Sequence, residues 1–320
     1  MHDGFFLMVR LVFVRLAWTL AILLGVSFTA FMLMRALPGD FALAAAGTSS
    51  VGEEVMAQIR QELGIDRPLI EQYFLWLGGA LTGDLGNSFV TKRPVLQEIG
   101  PRFVVTFQLT TIAAIMAMVI GVVTGLASAR LRGRVDWIVR IFNGLSLAVP
   151  NFVVGTLIVL LAGLYFPQLS IFGYTPFLVD PLANITSLLL PGFALALAVS
   201  VTISENTRAA VLEVSNQDFV MVARAKGLKP GAVLRNYLVR NALTPVITVT
   251  GLQVASLLGG SILVETIFAI PGMGQYLFDS ITSRDYPVIQ AIVLVAATVV
   301  VFVNMLVDVA YARADARAKS

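Results

Sequence analysis

Six stretches of this 320-residue chain carry no charged residue and are long enough to cross a bilayer: 16–34, 103–129, part of 141–179, 182–204, 241–264 and 286–307. A spanning helix needs about 20 apolar residues, because inside hydrocarbon every backbone N–H and C=O must find its partner within the segment. The expected fold class is therefore all-α, a polytopic membrane protein with six transmembrane helices. Composition agrees, with 58% hydrophobic and 13% charged residues against about a quarter charged in soluble proteins. The third run exceeds one helix. Pro167 and Pro176, with Gly173 and Tyr174 between them, predict a helix end near Leu164 followed by an extracytoplasmic loop. The first run is longer than a typical signal-peptide core and is closed by Arg35, so it reads as a retained helix.

Orientation follows from the basic residues in the connections. Arg10 and Arg15 precede the first helix; Arg130, Arg132, Arg134 and Arg140 join the second and third; Arg208, Arg224, Lys226, Lys229, Arg235 and Arg240 join the fourth and fifth; Arg313, Arg317 and Lys319 follow the sixth. All fall on one side, whereas the opposite side has none in 165–181 and only Arg284 after the fifth helix. The positive-inside rule puts both termini in the cytoplasm. Three divisions result: 1–35, the cytoplasmic N-terminus and first helix; 36–102, an extracytoplasmic lobe; and 103–320, a five-helix core. The connection from Arg35 to Arg102 is acidic, with Asp40, Glu53, Glu54, Glu62, Asp66, Glu71, Asp84 and Glu98 against six basic residues. A helix is expected over 52–63, with turns at 37–40, 66–68 and 82–84.

Several chemistries are excluded. The chain has no cysteine, and its one histidine is His2, which removes disulfides, thiolate catalysis and multi-histidine metal sites. A net charge of +3 gives a nucleic-acid partner no support. No stretch reads GxxxxGK[ST], so the phosphate-cradling loop of a P-loop ATPase is missing.

The segment 218–245, DFVMVARAKGLKPGAVLRNYLVRNALTP, is a basic island between apolar runs. Asp218 is placed to cap a short helix whose Phe219, Val222 and Ala223 would share an apolar face. Gly227 stands where the helix must stop, with Lys229, Pro230 and Gly231 after it. Ala223, Ala225 and Gly227 would leave a low surface for a partner, ringed by Arg224 and Lys226. The plainer alternative is a topogenic basic loop.

VARAKGL followed by RNALTP resembles the cytoplasmic coupling motif of ABC importer permeases, in the branch that takes up dipeptides and oligopeptides. RALPGD, ELGIDRPLIEQYFLWLGGALTGDLGNSF, RPVLQEI, LSLAVPNFVVG, LLLPGF and LGGSILVETIFAIPGMGQYLFDSITSRDYPVIQ continue the likeness in order along nearly the whole chain. The resemblance is to the dipeptide permease B and oligopeptide permease B family. It implies a type I ABC importer permease fold in the bacterial inner membrane, surrounded by lipid. It also implies half of a translocation pathway, completed by a second, homologous permease. Two ABC ATPase subunits would bind ATP and Mg, an extracytoplasmic solute-binding protein would deliver substrate, and this chain would hold no cofactor. The coupling helix would lie at about 216–230 and use Asp218, Ala223, Arg224, Ala225, Lys226, Gly227 and Leu228. The same branch serves nickel chelates, glutathione, opines and some oligosaccharides. One departure is plain: the wider motif opens Glu-Ala-Ala where this chain has Met221, Val222 and Ala223, and the spacing from Gly227 to Pro245 is longer.

Pro150, Asn151 and Pro191 are expected to interrupt the third and fourth helices, leaving backbone carbonyls that could line a pathway together with Gln253 and Glu265. Glu265 has a second reading, as a brace for the turn that follows it. Glu205 and Arg208, three residues apart, suggest a local ion pair, and Asp308 is placed near Arg313 at the inner end of the sixth helix. Gly251, Gly259 and Gly260 fit either a permease–permease contact or packing within the chain. A secondary transporter would ordinarily show an internal repeat and mid-helix ionisable groups. An intramembrane enzyme is disfavoured by the absence of cysteine and of any internal histidine.

Overall fold

The structure is a computed structural model that describes residues 2–36, 41–46, 52–131, 133–168 and 171–318. The expected turn at 37–40 and the side chains of Asp308 and Arg313 lie outside the described residues. The helices are α1 (His2–Ala36), α2 (Phe41–Ala46), α3 (Glu53–Glu62), α4 (Leu69–Leu81), α5 (Val95–Arg130), α6 (Arg134–Ala148), α7 (Asn151–Tyr165), α8 (Pro181–Ser215), α9 (Asp218–Ala225), α10 (Pro230–Val233), α11 (Arg240–Ile267), α12 (Met273–Ser283) and α13 (Tyr286–Ala318). A π-helical turn, Leu234–Val239, joins α10 to α11. Among the described residues, β pairing is limited to an isolated bridge between Asn87 and Pro94.

Four described helices are long and apolar enough to cross a membrane, and five if α6 and α7 form one broken span. Those two meet at 100° across Val149–Pro150. Pro150 begins α7 as its N-cap in an extended conformation, and the missing proline N–H leaves the α6 ladder no donor to continue on. The expected break at Pro150 is thus present, and α7 ends at Tyr165, one residue past Leu164. Pro191 behaves otherwise. It lies buried inside α8, which runs through it without interruption. The reason is packing: α8 buries side chains along most of its length, and these hold the helix through one lost hydrogen bond.

Two compact units are distinguished. The first contains residues 1–105 and 272–305. Here α4 lies on α1: the Tyr73 hydroxyl pairs with Ser27 Oγ at 2.9 Å, and its ring meets Phe28 and Phe31 edge-on. The helix expected over 52–63 is α3, with Gly52 and Leu63 as its caps. The loop after α4 is fastened by a buried carboxylate. Asp285 accepts from Ser88 Oγ and from the backbone N–H of Phe89 at 2.9 Å, while Ser88 Oγ accepts from Thr91 N–H at 2.9 Å. Leu85, Val95, Ile99, Met273, Val288 and Ile292 form the apolar core beside it. Tyr276 donates to Glu98, and Arg102 lies over the Tyr276 ring at 4.0 Å. Burial, with a further push from Glu98, raises the Tyr276 hydroxyl well above the ordinary phenol value, so it remains a donor.

The second unit contains residues 106–271 and 306–320 and is organised on α8. A Cβ placed on Gly121 of α5 would stand 2.7 Å from Ser200 O, and one on Gly125 would stand 2.4 Å from Ser204 O. The two backbones therefore touch, a small-residue contact of the kind that holds helices together in lipid. Ser204 Oγ then joins three helices, accepting from Thr124 at 3.0 Å and Asn143 at 3.3 Å.

Candidate functional site

The basic island folds as α9, its cap, α10 and the π turn, all within the second unit. α9 starts one residue earlier than its sequence suggests. Gln217 is the N-cap, extended at φ −75° and ψ 147°, and its carbonyl takes the first N–H groups, from Val220 and Met221. Asp218 is accordingly not the cap but the first helical residue, where its charge faces the positive end of the helix dipole.

The other end closes as expected at Gly227, which has φ +75°. Its N–H donates to Arg224 O at 2.9 Å, and the Leu228 N–H reaches back to Ala223 O at 3.4 Å. This double bond pattern is the Schellman arrangement, which needs a left-handed residue at that one position. Lys229 then turns extended and Pro230 opens α10 at its first turn, where a missing N–H costs nothing.

The inward face of α9 differs from the one expected. Val220 and Ala223 are buried, together with Ala129 of α5, Ala210 and Val211 of α8, Val233 of α10, Leu238 of the π turn and Ala242 of α11. Phe219 and Val222 face outward instead, with Phe219 stacked on Tyr237 at 6.3 Å. Ala223 is therefore not part of a surface open to a partner. The outer face is apolar at its centre, with Met221 56% and Val222 52% exposed, and it carries Phe219, Ala225, Lys226 and Leu228 around them. Arg224 borders a cavity of about 450 Å³ that it shares with Arg130 and Ser215. α9 is thus a capped helix fixed by its underside to three long helices, with its upper side bare.

The residues proposed for a pathway do not form one cluster. Asn151 lies against α11, its Nδ2 only 2.9 Å from where a Cβ on Gly260 would stand, with Leu195 of α8 beside them. Gln253 is half-buried on α11, where its carbonyl accepts from Ser256 at 2.7 Å. Glu265 is twelve residues further along, about 18 Å at the helical rise. It is fully buried and accepts from Thr106 Oγ1 at 2.8 Å, tying α11 to α5. Its backbone carbonyl takes the N–H of Ile270, closing the turn in which Ala269 has φ +52°. Of the α11 glycines, Gly260 and Gly251 are packed within the chain, the latter against Val307, whereas Gly259 has nothing within 4 Å.

Arg208 does not pair with Glu205. It reaches Asp136 on α6, Nε to Oδ1 at 3.1 Å, and Ser128 of α5 donates to the same carboxylate. An arginine on a long helix chooses among all carboxylates in reach, and an i, i+3 spacing is worth only a few tenths of a kcal/mol. Sequence reasoning also missed the π turn. Its one trace is the lengthened spacing from Gly227 to Pro245, since a π turn absorbs an added residue without ending the helix.

The family described as "Binding-protein-dependent transport system inner membrane component" matches residues 117–320, and its N-terminal companion matches 8–110. The chain belongs to this family. Among curated relatives, the glutathione transport system permease protein GsiC of Pectobacterium atrosepticum is 40% identical over 303 residues, covering 93% of this chain and 95% of its own. The dipeptide transport system permease protein DppB of Escherichia coli is 34% identical over 330 residues, covering 95% and 97%. A solved structure of the methionine ABC transporter MetNI, in inward-facing conformations, superposes with a TM-score of 0.56 at 16% identity. The match covers 68% of this chain and 96% of that one, and it speaks for the fold alone. The chain is a permease component with an all-α ABC-importer fold, a multi-pass inner-membrane protein. Among the described residues no three His, Cys, Asp or Glu side chains gather as a metal site.

Proposed function

We propose that this chain is a permease subunit of a peptide importer driven by ATP, and that α9 is the helix on which a separate ATPase docks. One observation carries the proposal: α9 is capped at both ends, locked beneath to α5, α8 and α11, and bare above. A helix held in this way moves with the helices under it, so a push from a partner becomes a rigid-body displacement of the membrane core. The apolar centre should contribute more than the charges. Met221 and Val222 are already half-covered, so burying the rest is worth about 0.8 to 1.5 kcal/mol each, whereas an exposed pair to Lys226 adds about 0 to 1 kcal/mol. Asp218, Arg224, Ala225, Gly227 and Leu228 complete the surface or hold its shape, and Ala223 fixes it from below.

In this reading six spans cross the membrane, formed by α1, α5, the α6–α7 pair, α8, α11 and α13. Both termini and α9 lie in the cytoplasm. The 36–102 segment faces an external solute-binding protein, a homologous permease seats near Gly259, and two ATPase subunits bind ATP and Mg. Peptides are the assigned substrate because relatives named for dipeptides and for glutathione, itself a tripeptide, match over nearly their whole lengths.

Two measurements test this. Tagged chain drawn from its native membrane is expected to carry a second permease and two nucleotide-binding subunits by native mass, and Val222→Asp should lose the latter while the permease pair survives. Peptide uptake by this chain alone in liposomes without any ATPase would overturn the proposal. Orientation is read separately, in a chain free of cysteine. Exposed Thr82→Cys and Ser283→Cys should react with an impermeant thiol reagent from outside, and exposed Asn216→Cys only after permeabilisation. The reverse labelling would invert the topology.

A further inference from the structure

The first unit holds an open cavity of about 760 Å³, bordered by α1 to α4, the loop after α4 and the start of α13. Its lining contains an unusual set of unpartnered polar atoms. Among the described residues, Arg35 Nη1, Gln72 Oε1 and Gln290 Nε2 are each buried without a hydrogen-bond partner, and all three side chains line this one space. Buried polar groups are nearly always paired, so three orphans at one place point to a molecule that completes them. Gln72 and Gln290 are 6% and 5% exposed, too buried for bulk water to serve them.

The orphans have a definite chemistry. Gln72 gives both amide hydrogens to the carbonyls of Ile65 and Arg67, at 3.0 and 2.7 Å, which fixes its oxygen as the free end. Gln290 offers an N–H. Arg35 offers a guanidinium N–H, with its carbon 3.9 Å from the centroid of the Phe41 ring and 5.3 Å from that of Phe31, so its plane is held in place. Lys92 stands at the same cavity in a left-handed backbone conformation, φ +60°, and spends one ammonium hydrogen on Ala45 O at 3.0 Å. Two cations and an amide N–H thus outnumber the one orphaned acceptor of the three, Gln72 Oε1. One carboxylate, the exposed Glu62, also reaches the lining. The rest of the wall is mainly apolar, Phe41 and Trp76 foremost, with Asn87 and Ser88 of the loop after α4 at its edge.

We propose that this cavity is a binding site for a small anionic amphiphile. Its carboxylate or phosphate oxygens bind Arg35, Gln290 and Lys92, an N–H or O–H reaches Gln72 Oε1, and its apolar body lies against Phe41 and Trp76. Two sources carry this chemistry: the C-terminal carboxylate of a short peptide, or the headgroup of an anionic phospholipid at the membrane boundary. The peptide source rests on the proposed function; the lipid source does not.

Trp76 supplies the reporter. With Trp18→Phe and Trp137→Phe it is the last of the chain's three tryptophans, and the full-length chain is studied in dodecyl maltoside, an uncharged detergent. Two quenchers are titrated, a phosphatidylglycerol brominated on its acyl chain and a dipeptide ending in p-nitrophenylalanine. Saturable quenching by one of them is expected, and which one identifies the source. Gln290→Leu, near in volume but without the donor, and Arg35→Gln should each weaken it by about tenfold or more, while Arg35→Lys retains most of it. Thermal unfolding of each variant separates lost binding from lost fold. The proposal is overturned if neither probe quenches saturably, leaving a cavity that holds water alone, or if quenching is unchanged in folded Gln290→Leu. Binding is read without ATP or partners, so its failure leaves the importer reading standing.

Discussion

Gly227→Val should reach the membrane in wild-type amounts and lose peptide uptake, with ATP hydrolysis no longer stimulated by a loaded binding protein. The cause is confined to the backbone. Gly227 has φ +75°, and a Cβ added there would meet nothing within 4 Å, so the substitution creates strain without a clash. Forcing a β-branched residue into the left-handed region costs roughly 1 to 2 kcal/mol. That is a factor of about 5 to 30 in the population of the capped state. The two cap bonds, Gly227 to Arg224 and Leu228 to Ala223, go together, and Leu228 and Lys226 leave the docking surface. Gly227→Asn is the control, since asparagine tolerates this conformation and should keep most of the uptake. Arg224→Glu should do less than Gly227→Val, as Arg224 borders a cavity and exposed pairs are weak. Wild-type uptake by Gly227→Val at normal abundance would reduce 218–245 to a topogenic loop.

The largest loss of stability is expected at Gly125. Its added Cβ would stand 2.4 Å from Ser204 O and 2.7 Å from Thr207 Cβ, and the first of these is backbone that cannot rotate away. Gly125→Ala must push α5 off α8, at a cost of about 1 to 3 kcal/mol, and Gly125→Leu should exceed that and leave little folded protein in the membrane. A thermal unfolding scan of the purified alanine variant, with membrane abundance for the leucine variant, reads both. Gly259→Ala provides the contrast, because its site is open and the isolated chain should unfold as before. An unshifted Gly125→Ala scan would mean that α5 and α8 are not in backbone contact.

Features governed by neighbours in the chain could be read from residues alone. The acidic first turn of α3 lies between Gly52 and Leu63, and both limits hold because the bonds that end a helix come from residues three to five positions away. Gly227 is of the same kind, as are Pro150 and the end of α7. Apolar length marked α1, α5, α8 and α13 for the same reason, since a bilayer imposes its thickness on any helix that crosses it. The limits of these runs were less informative than their centres. α5 begins at Val95, eight residues before the apolar run, and α8 continues eleven beyond it, because polar turns carry a helix past hydrocarbon whenever other elements pack on them.

Where several local choices are equal, tertiary contacts selected among them. Phe219, Val220, Val222 and Ala223 can all face inward on an isolated helix, and the shape of the space over Ala129, Ala210 and Val211 admits Val220 and Ala223 while turning the larger Phe219 out to solvent. Arg208 had Glu205 three residues away and took Asp136, 72 residues distant, because α6 bends back to deliver it. Asp285 and the loop at Ser88 are 197 positions apart, a pairing no spacing announces. Pro191 carries the same helix-breaking chemistry as Pro150, yet burial within α8 holds one helix together and the exposed junction at Val149–Pro150 lets the other part. Helix ends and membrane spans follow from short-range bonding and from the solvent, so they are written in the order of residues. The face a helix buries, the partner a charge selects and the cavity around Arg35 follow from which surfaces fold together, and that is decided only when the whole chain has packed.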